Sequence, residues 1–175
     1  MDGEFDRLSR EIGGGYLPRA PEIEFLYRII VDCGQPIDVG DTPAGVSMRV
    51  IPIVGGRFEG PRMRGRVLPL GADWNSGPSG EPGRRNVDTR YLLETEDGAV
   101  ICLSTLGFSR RLPEALALRA AGKPVDPASY YFAQHLFFES AAAEYSWLDS
   151  VVAFGMVMSK FKGGPGVIYD AYAVR

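Results

Sequence analysis

The chain has 175 residues, a formal net charge of −3, 45% apolar residues and 23% charged residues. That is one domain's length with enough apolar content for a real core, which excludes general disorder. The slight negative charge argues against nucleic acid as a partner, because phosphate contact needs a strong basic field. A single histidine and two distant cysteines, Cys33 and Cys102, leave neither a structural zinc set nor a two-histidine iron site. The cysteines read as two buried free thiols of a cytoplasmic protein, with a disulfide between them as the alternative.

Residues 1–21 read as a flexible N-terminal arm. MDGEFDRLSREIGGGYLP is acidic, has no apolar signal segment, and is broken by Gly13-Gly14-Gly15, Pro18 and Pro21. Glu22–Val31 alternates apolar and polar residues and predicts the first strand. A loop follows over 34–45, rich in Gly, Pro and Asp. Val46–Val54 and Met63–Leu70 predict the second and third strands, with a tight turn at Gly55-Gly56 and a second at Gly60-Pro61. Arg57, Arg62, Arg64 and Arg66 make a solvated basic face of that hairpin. The third strand ends in Asp73-Trp74, a carboxylate beside an indole, which reads as a pocket rim.

Asn75–Asn86, NSGPSGEPGRRN, predicts a mobile surface loop. Val87–Glu94 and Ala99–Phe108 form a hairpin around Asp97-Gly98, a dipeptide suited to tight hairpin turns. Leu112–Ala121 predicts a short helix, with Pro113 near its start and Gly122 after its end. Tyr130–Ser140 is a long aromatic strand, 141–149 a helical turn, and Val151–Lys160 and Val167–Val174 are the last strands. The longest apolar run, Val151–Met158, is too short for a membrane helix of roughly 20 residues. Eight strands in successive hairpins, with one helix and no βαβ alternation, predict an all-β fold. It is a single antiparallel, roughly eight-stranded closed β-barrel over residues 22–175, with room for one small ligand.

The order GGRFEGP (55–61), RGRVLPLGADW (64–74), VDTRYLLETEDGAVI (87–101), LGFSR (106–110), YYF (130–132), FFES (137–140) and YSWLDS (145–150) resembles the DUF3237 family, also called UPF0311, from about Ile23 to Arg175. The resemblance implies one compact β-barrel domain and brings no catalytic residues with it. Ala133 stands after YYF, where the family tends to carry a basic residue.

Side chains of a barrel strand alternate between lumen and outside. On the aromatic strand Tyr131, Ala133, His135, Phe137 and Glu139 share one face; Tyr130, Phe132, Gln134, Leu136 and Phe138 share the other. Both faces are largely apolar, so the sequence leaves open which one is inside. Glu139 either pairs with an arginine or, desolvated among phenylalanines, has a raised pKa and serves as a general base. His135 is a rim residue or a ligand contact. Arg90 either pairs with Asp88 or anchors an oxyanion through its planar fork. Asp73 caps a turn or acts as an acid/base group. Trp74, Tyr145 and Trp147 pack at the rim or stack on a planar ligand.

These residue types point to a cofactor-independent enzyme of lyase or isomerase/cyclase type acting on a small aromatic molecule. Its expected catalytic groups are Glu139, Asp73, Arg90 and Tyr145, and its expected substrate contacts are Trp74, Tyr131, His135, Phe137 and Trp147. No metal and no membrane is expected. The alternatives are a non-catalytic carrier with the same barrel, and an assembly protein that forms a homo-oligomer through exposed strand edges or an aromatic rim.

Overall fold

The computed structural model describes residue 11, residues 19–160 and residues 162–175; most of the expected N-terminal arm lies outside the described residues. Nine strands follow in chain order: β1 (Ile23–Cys33), β2 (Ile37–Asp41), β3 (Val46–Glu59), β4 (Arg64–Pro78), β5 (Arg84–Thr95), β6 (Val100–Arg110), β7 (Tyr131–Glu139), β8 (Ala153–Ser159) and β9 (Gly166–Val174). The helix α1 (Pro113–Ala120) lies between β6 and β7, and two 3-10 segments span Pro127–Ser129 and Ala143–Ser150. The sheet order is β1-β9-β8-β7-β6-β5-β4-β3-β2, and β1 pairs again with β3. Eight strands therefore close into an antiparallel barrel, with β2 attached to the first half of β3.

The hairpin β5–β6 forms as its turn dipeptide predicts, in unbroken register from Arg84↔Arg110 to Glu94↔Val100. Its alternation decides the two faces. Val87, Thr89, Tyr91, Leu93 and Thr95 point inward and are buried, whereas Asp88 and Arg90 are exposed on the outer wall. Covering charge with water and apolar groups with each other is the ordinary solution for such a strand.

Three boundaries differ from the sequence expectation. Gly55-Gly56 is not a turn but lies inside β3, and the turn sits at residues 60–63, where the Gly60 N–H donates to the Met63 carbonyl at 2.9 Å. The two glycines have φ of 144° and 143°, which bends β3 so that its far half reaches β1. A Cβ at Gly56 would stand 2.1 Å from the Ile30 carbonyl oxygen. The segment expected as a mobile loop over Asn75–Asn86 is mostly strand: β4 runs to Pro78 and β5 begins at Arg84. Part of the expected loop over 34–45 is β2.

The two ends of the lumen differ. At one end Tyr27, Phe58, Leu93, Ile101, Leu103 and Phe138 fill the interior. The 3-10 segment Ala143–Ser150 adds Tyr145 and Leu148 there, so this end is plugged. Tyr27 packs edge-on against Phe58 and Phe138. The other end holds the C-terminal half of β1, the start of β3, the end of β4, the start of β5 and α1, and it is open. No described helix is long and apolar enough to cross a membrane.

Candidate functional site

Antiparallel register stacks the inward residues of the open end into two rungs. Ile51 pairs with Asp73, Asp73 with Thr89, Thr89 with Thr105, and Thr105 with Leu136. One step nearer the mouth, Arg49 pairs with Asn75. Directly opposed residues bring their Cβ atoms to about 5 Å, so one carboxyl and two hydroxyls line a short arc of wall. They border a cavity of about 120 Å³, walled also by Val31, Ile53, Val87, Phe132 and Val167.

Asp73 is the acid of this cavity. Its Oδ1 accepts the Asp88 backbone N–H at 3.2 Å, and its Oδ2 accepts the Asn75 side-chain amide at 3.1 Å. These bonds, with Thr89 and the positive field of Arg49, favour the carboxylate, but burial outweighs them and lifts the pKa to about 6. Asn75 is itself pinned, because its amide oxygen accepts from Arg49 at 3.0 Å and from Arg85 at 2.7 Å. That arrangement aims its NH₂ at Asp73. Deeper in, the Tyr91 and Tyr169 hydroxyls bond to each other at 2.6 Å, and burial holds both phenols protonated. Cys33 also borders the cavity, its thiol pushed up to about 11 by burial, with Asp73 and Asp32 adding to the shift.

A larger hollow of about 890 Å³ runs along the outer wall beside β8, β9 and β1. It is open to solvent, and Arg28 and Asp170 on its side are already paired at 2.6 Å. The barrel mouth, where a desolvated acid meets hydroxyls in an apolar chamber, is the better candidate for chemistry.

The sequence profile of the DUF3237 family, described as a protein of unknown function, matches residues 21–174. The chain belongs to the DUF3237 family. UPF0311 proteins of two strains of Rhodopseudomonas palustris are 31% and 34% identical to it over 153 residues, 87% of this chain and 96% of theirs. A crystal structure of a β-barrel-like protein from Acinetobacter baumannii superimposes with a TM-score of 0.78 at 42% identity, covering 92% of this chain and all of the other. The structure of an enzyme from Penicillium herquei superimposes with a TM-score of 0.65 at 20% identity over 92% of this chain and 99% of that one; at that identity it shows a common fold.

Of the nine residues that sequence reasoning nominated, this DUF3237 barrel brings only Asp73 to the cavity. Glu139, His135, Phe137 and Tyr131 lie on the outer wall of β7, because its inward face is Phe132, Gln134, Leu136 and Phe138. Glu139 therefore does not converge with Asp73. Arg90 is on the outer wall of β5. Trp74 is 56% exposed on the outside of β4, one position out of phase with Asp73. Tyr145 is buried at the plugged end with its hydroxyl on Asp97, and Trp147 lies there beneath the Arg62 guanidinium, 3.7 Å from the ring centroid.

The residues missed are Arg49, Asn75, Thr89, Thr105 and Gln134. The VDTRYLLE alternation carries the signal for Thr89, since charges at Asp88 and Arg90 force their neighbours inward. Asn75 has no such signal, being hidden at the edge of a Gly/Ser/Pro-rich stretch. Cys33 and Cys102 are free thiols, each only partly buried where full burial was expected.

Proposed function

We propose that the protein is a cofactor-independent enzyme of lyase or isomerase/cyclase type. In this reading Asp73 moves a proton on a small molecule held in the open end of the barrel. The observation that carries the proposal is the Asp73 carboxyl, raised to about 6 and facing an apolar cavity. A value near the working pH keeps both protonation states accessible, so one group can take a proton from a C–H or O–H and return it elsewhere on the same molecule. Asn75 fixes the carboxyl, Thr89 offers a neighbouring hydroxyl, and Arg49 supplies positive charge for a developing oxyanion, the role sequence reasoning gave to Arg90. A cavity of about 120 Å³ limits the ligand to one small ring reaching into the mouth, being somewhat smaller than the apolar cavity of about 150 Å³ that holds benzene. The Penicillium herquei barrel, described as an enzyme, is consistent with catalysis in this fold.

The test is product analysis of the purified protein against a panel of small aromatic and alicyclic acids, phenols and enones, in parallel with Asp73→Asn. The expected result is turnover of at least one compound, reduced at least 100-fold in Asp73→Asn while binding changes little. Undiminished turnover in the variant would remove Asp73 from the mechanism. The mainly apolar wall favours a second reading, a carrier; under it every bound compound is recovered intact.

A further inference from the structure

Four guanidinium groups meet at the open end of the barrel. Arg49 and Arg85 share the Asn75 amide oxygen. Arg111 and Arg119 share the Ser159 hydroxyl oxygen, at 3.0 and 2.8 Å. Among the described residues none of the four has a carboxylate within ion-pair distance. Arg28, Arg66, Arg84, Arg175 and Lys160 each have one. Three acids lie near without forming an ion pair, Asp38 and Asp41 in the adjoining groove and Asp73 on the cavity wall, and their charge offsets part of that on Arg49 and Arg85. The cationic groups disfavour one another. Arg111 is brought down to about 10, by burial first and by Arg119 next. Guanidinium groups gathered without a close ion pair favour an anion among them, and this cluster faces the cavity through Arg49 and Arg119.

A separate feature lies on the cavity wall. The Thr105 hydroxyl is buried, with the residue only 1% exposed, and it has no hydrogen-bond partner. Thr105 borders the cavity on the same rung as Asp73. Arg49 is one rung nearer the mouth, a step of about 7 Å along the strands. Thr105 stands on β6, three strands round the wall from Arg49 on β3, and both border the same cavity.

We propose that the cavity binds a small ring-sized carboxylic acid, its carboxylate held at the mouth by Arg49 and Arg119 and a hydroxyl or carbonyl oxygen at its far end on Thr105. Arg111 sits behind Arg119 and keeps the mouth positive. The ring between the two ends passes Asp73 and Thr89, which places the carbon frame against the proton-moving group. The inference rests on the reading that the open end of the barrel is the ligand site.

The experiment uses three probes, 4-hydroxybenzoate, its neutral amide 4-hydroxybenzamide, and benzoate. They are titrated calorimetrically at pH 7 while the methyl signals of Thr89 and Thr105 are followed by NMR. The acid is expected to bind at least 10-fold more tightly than the amide. That advantage should vanish in Arg119→Gln, an exposed helix position that leaves folding intact, and largely return in Arg119→Lys. The preference for 4-hydroxybenzoate over benzoate should vanish in Thr105→Val. Equal affinity for acid and amide, or an advantage that survives both Arg119→Gln and Arg49→Gln, overturns the proposal. If the amide moves the two threonine signals and the acid is no better, the ligand site stands and only the acid specificity fails. If no probe moves them, the ligand site and the specificity fail together.

Discussion

Asp73 pairs a buried carboxyl with three hydrogen-bonding neighbours, and the balance between them has a consequence for stability. The unfolded carboxyl titrates near 3.9 and the folded one near 6. Below about pH 4 both states carry the proton. Between the two values the native state keeps a proton that the unfolded chain has lost, and above about 6 the native state bears the cost of a buried carboxylate. The contribution of this group therefore falls as pH rises from about 4 to about 6. Two units correspond to at most about 3 kcal/mol; contact with water at the mouth brings the expected effect to about 1–2 kcal/mol. Arg49 and Arg85, which face Asp73 from β3 and β5, limit the cost, while Cys33 on β1 stays a neutral thiol. Asp73→Asn should thus be more stable than the wild type by about 1–2 kcal/mol at pH 7.5 and equal to it near pH 3.5, by urea melts across that range. A gap that does not change with pH would show that Asp73 is ordinary in titration. Glu139 makes the contrasting case. It is exposed on the outer wall, so Glu139→Gln should leave stability within about 0.5 kcal/mol and affinity for cavity probes unchanged; a loss of either would point to chemistry on the outer wall of β7. Asp73 was legible as a candidate because it follows Gly71-Ala72 in a strand. Glu139 was misleading because the residues around it, Phe137 and Phe138, suggest desolvation on whichever face they take.

Strands were legible where alternation is strict and turns are explicit. The β5–β6 hairpin and α1 lie within a few residues of where VDTRYLLE, Asp97-Gly98 and LPEALALRAA place them. The β7 face was not legible, because aromatic residues occupy both sides and the choice is made by packing against Leu103 and Tyr27 rather than by local pattern. The glycine pair of β3 was misread for a related reason. A positive φ serves a turn or a bend equally well, and only the distant pairing with β1 distinguishes them. Pairing of β3 with β4 breaks after Pro52 and resumes at Gly56, which pairs with Val67 of β4 on one side and Val31 of β1 on the other. A side chain there meets both a backbone conformation that L-residues avoid and the Ile30 carbonyl at 2.1 Å. Gly56→Ala should therefore cost at least about 3 kcal/mol, read as a shift of the urea midpoint, and Gly56→Val should yield insoluble protein. A stable, soluble Gly56→Val would mean that β1 and β3 do not close the barrel through this seam.

Closure leaves no long free edge in the eight-stranded wall, so the two ends of the lumen are left to differ. One is filled by core and covered by the Ala143–Ser150 segment; the other is left open, with its polar groups and two of its clustered arginines, Arg49 and Arg119, facing a small cavity. Such a division assigns stability to one end and ligand chemistry to the other, and it can be separated experimentally. Leu148 is 1% exposed beneath the plug, where its truncation empties core volume without touching the cavity. Leu148→Ala should destabilise the barrel by about 2–5 kcal/mol, the usual cost of a large-to-small change in a packed interior. Residues with no shared partners and well separated in space add independently, so the affinity of the folded variant for 4-hydroxybenzoate should stay within about twofold of the wild type. Arg119→Gln should do the reverse, lowering that affinity at least 10-fold with little change in the urea midpoint. If Leu148→Ala instead weakened binding as much as it weakened folding, the packed end would be setting the shape of the mouth. Ligand binding and core packing would then be one cooperative property of the barrel rather than two properties of its opposite ends.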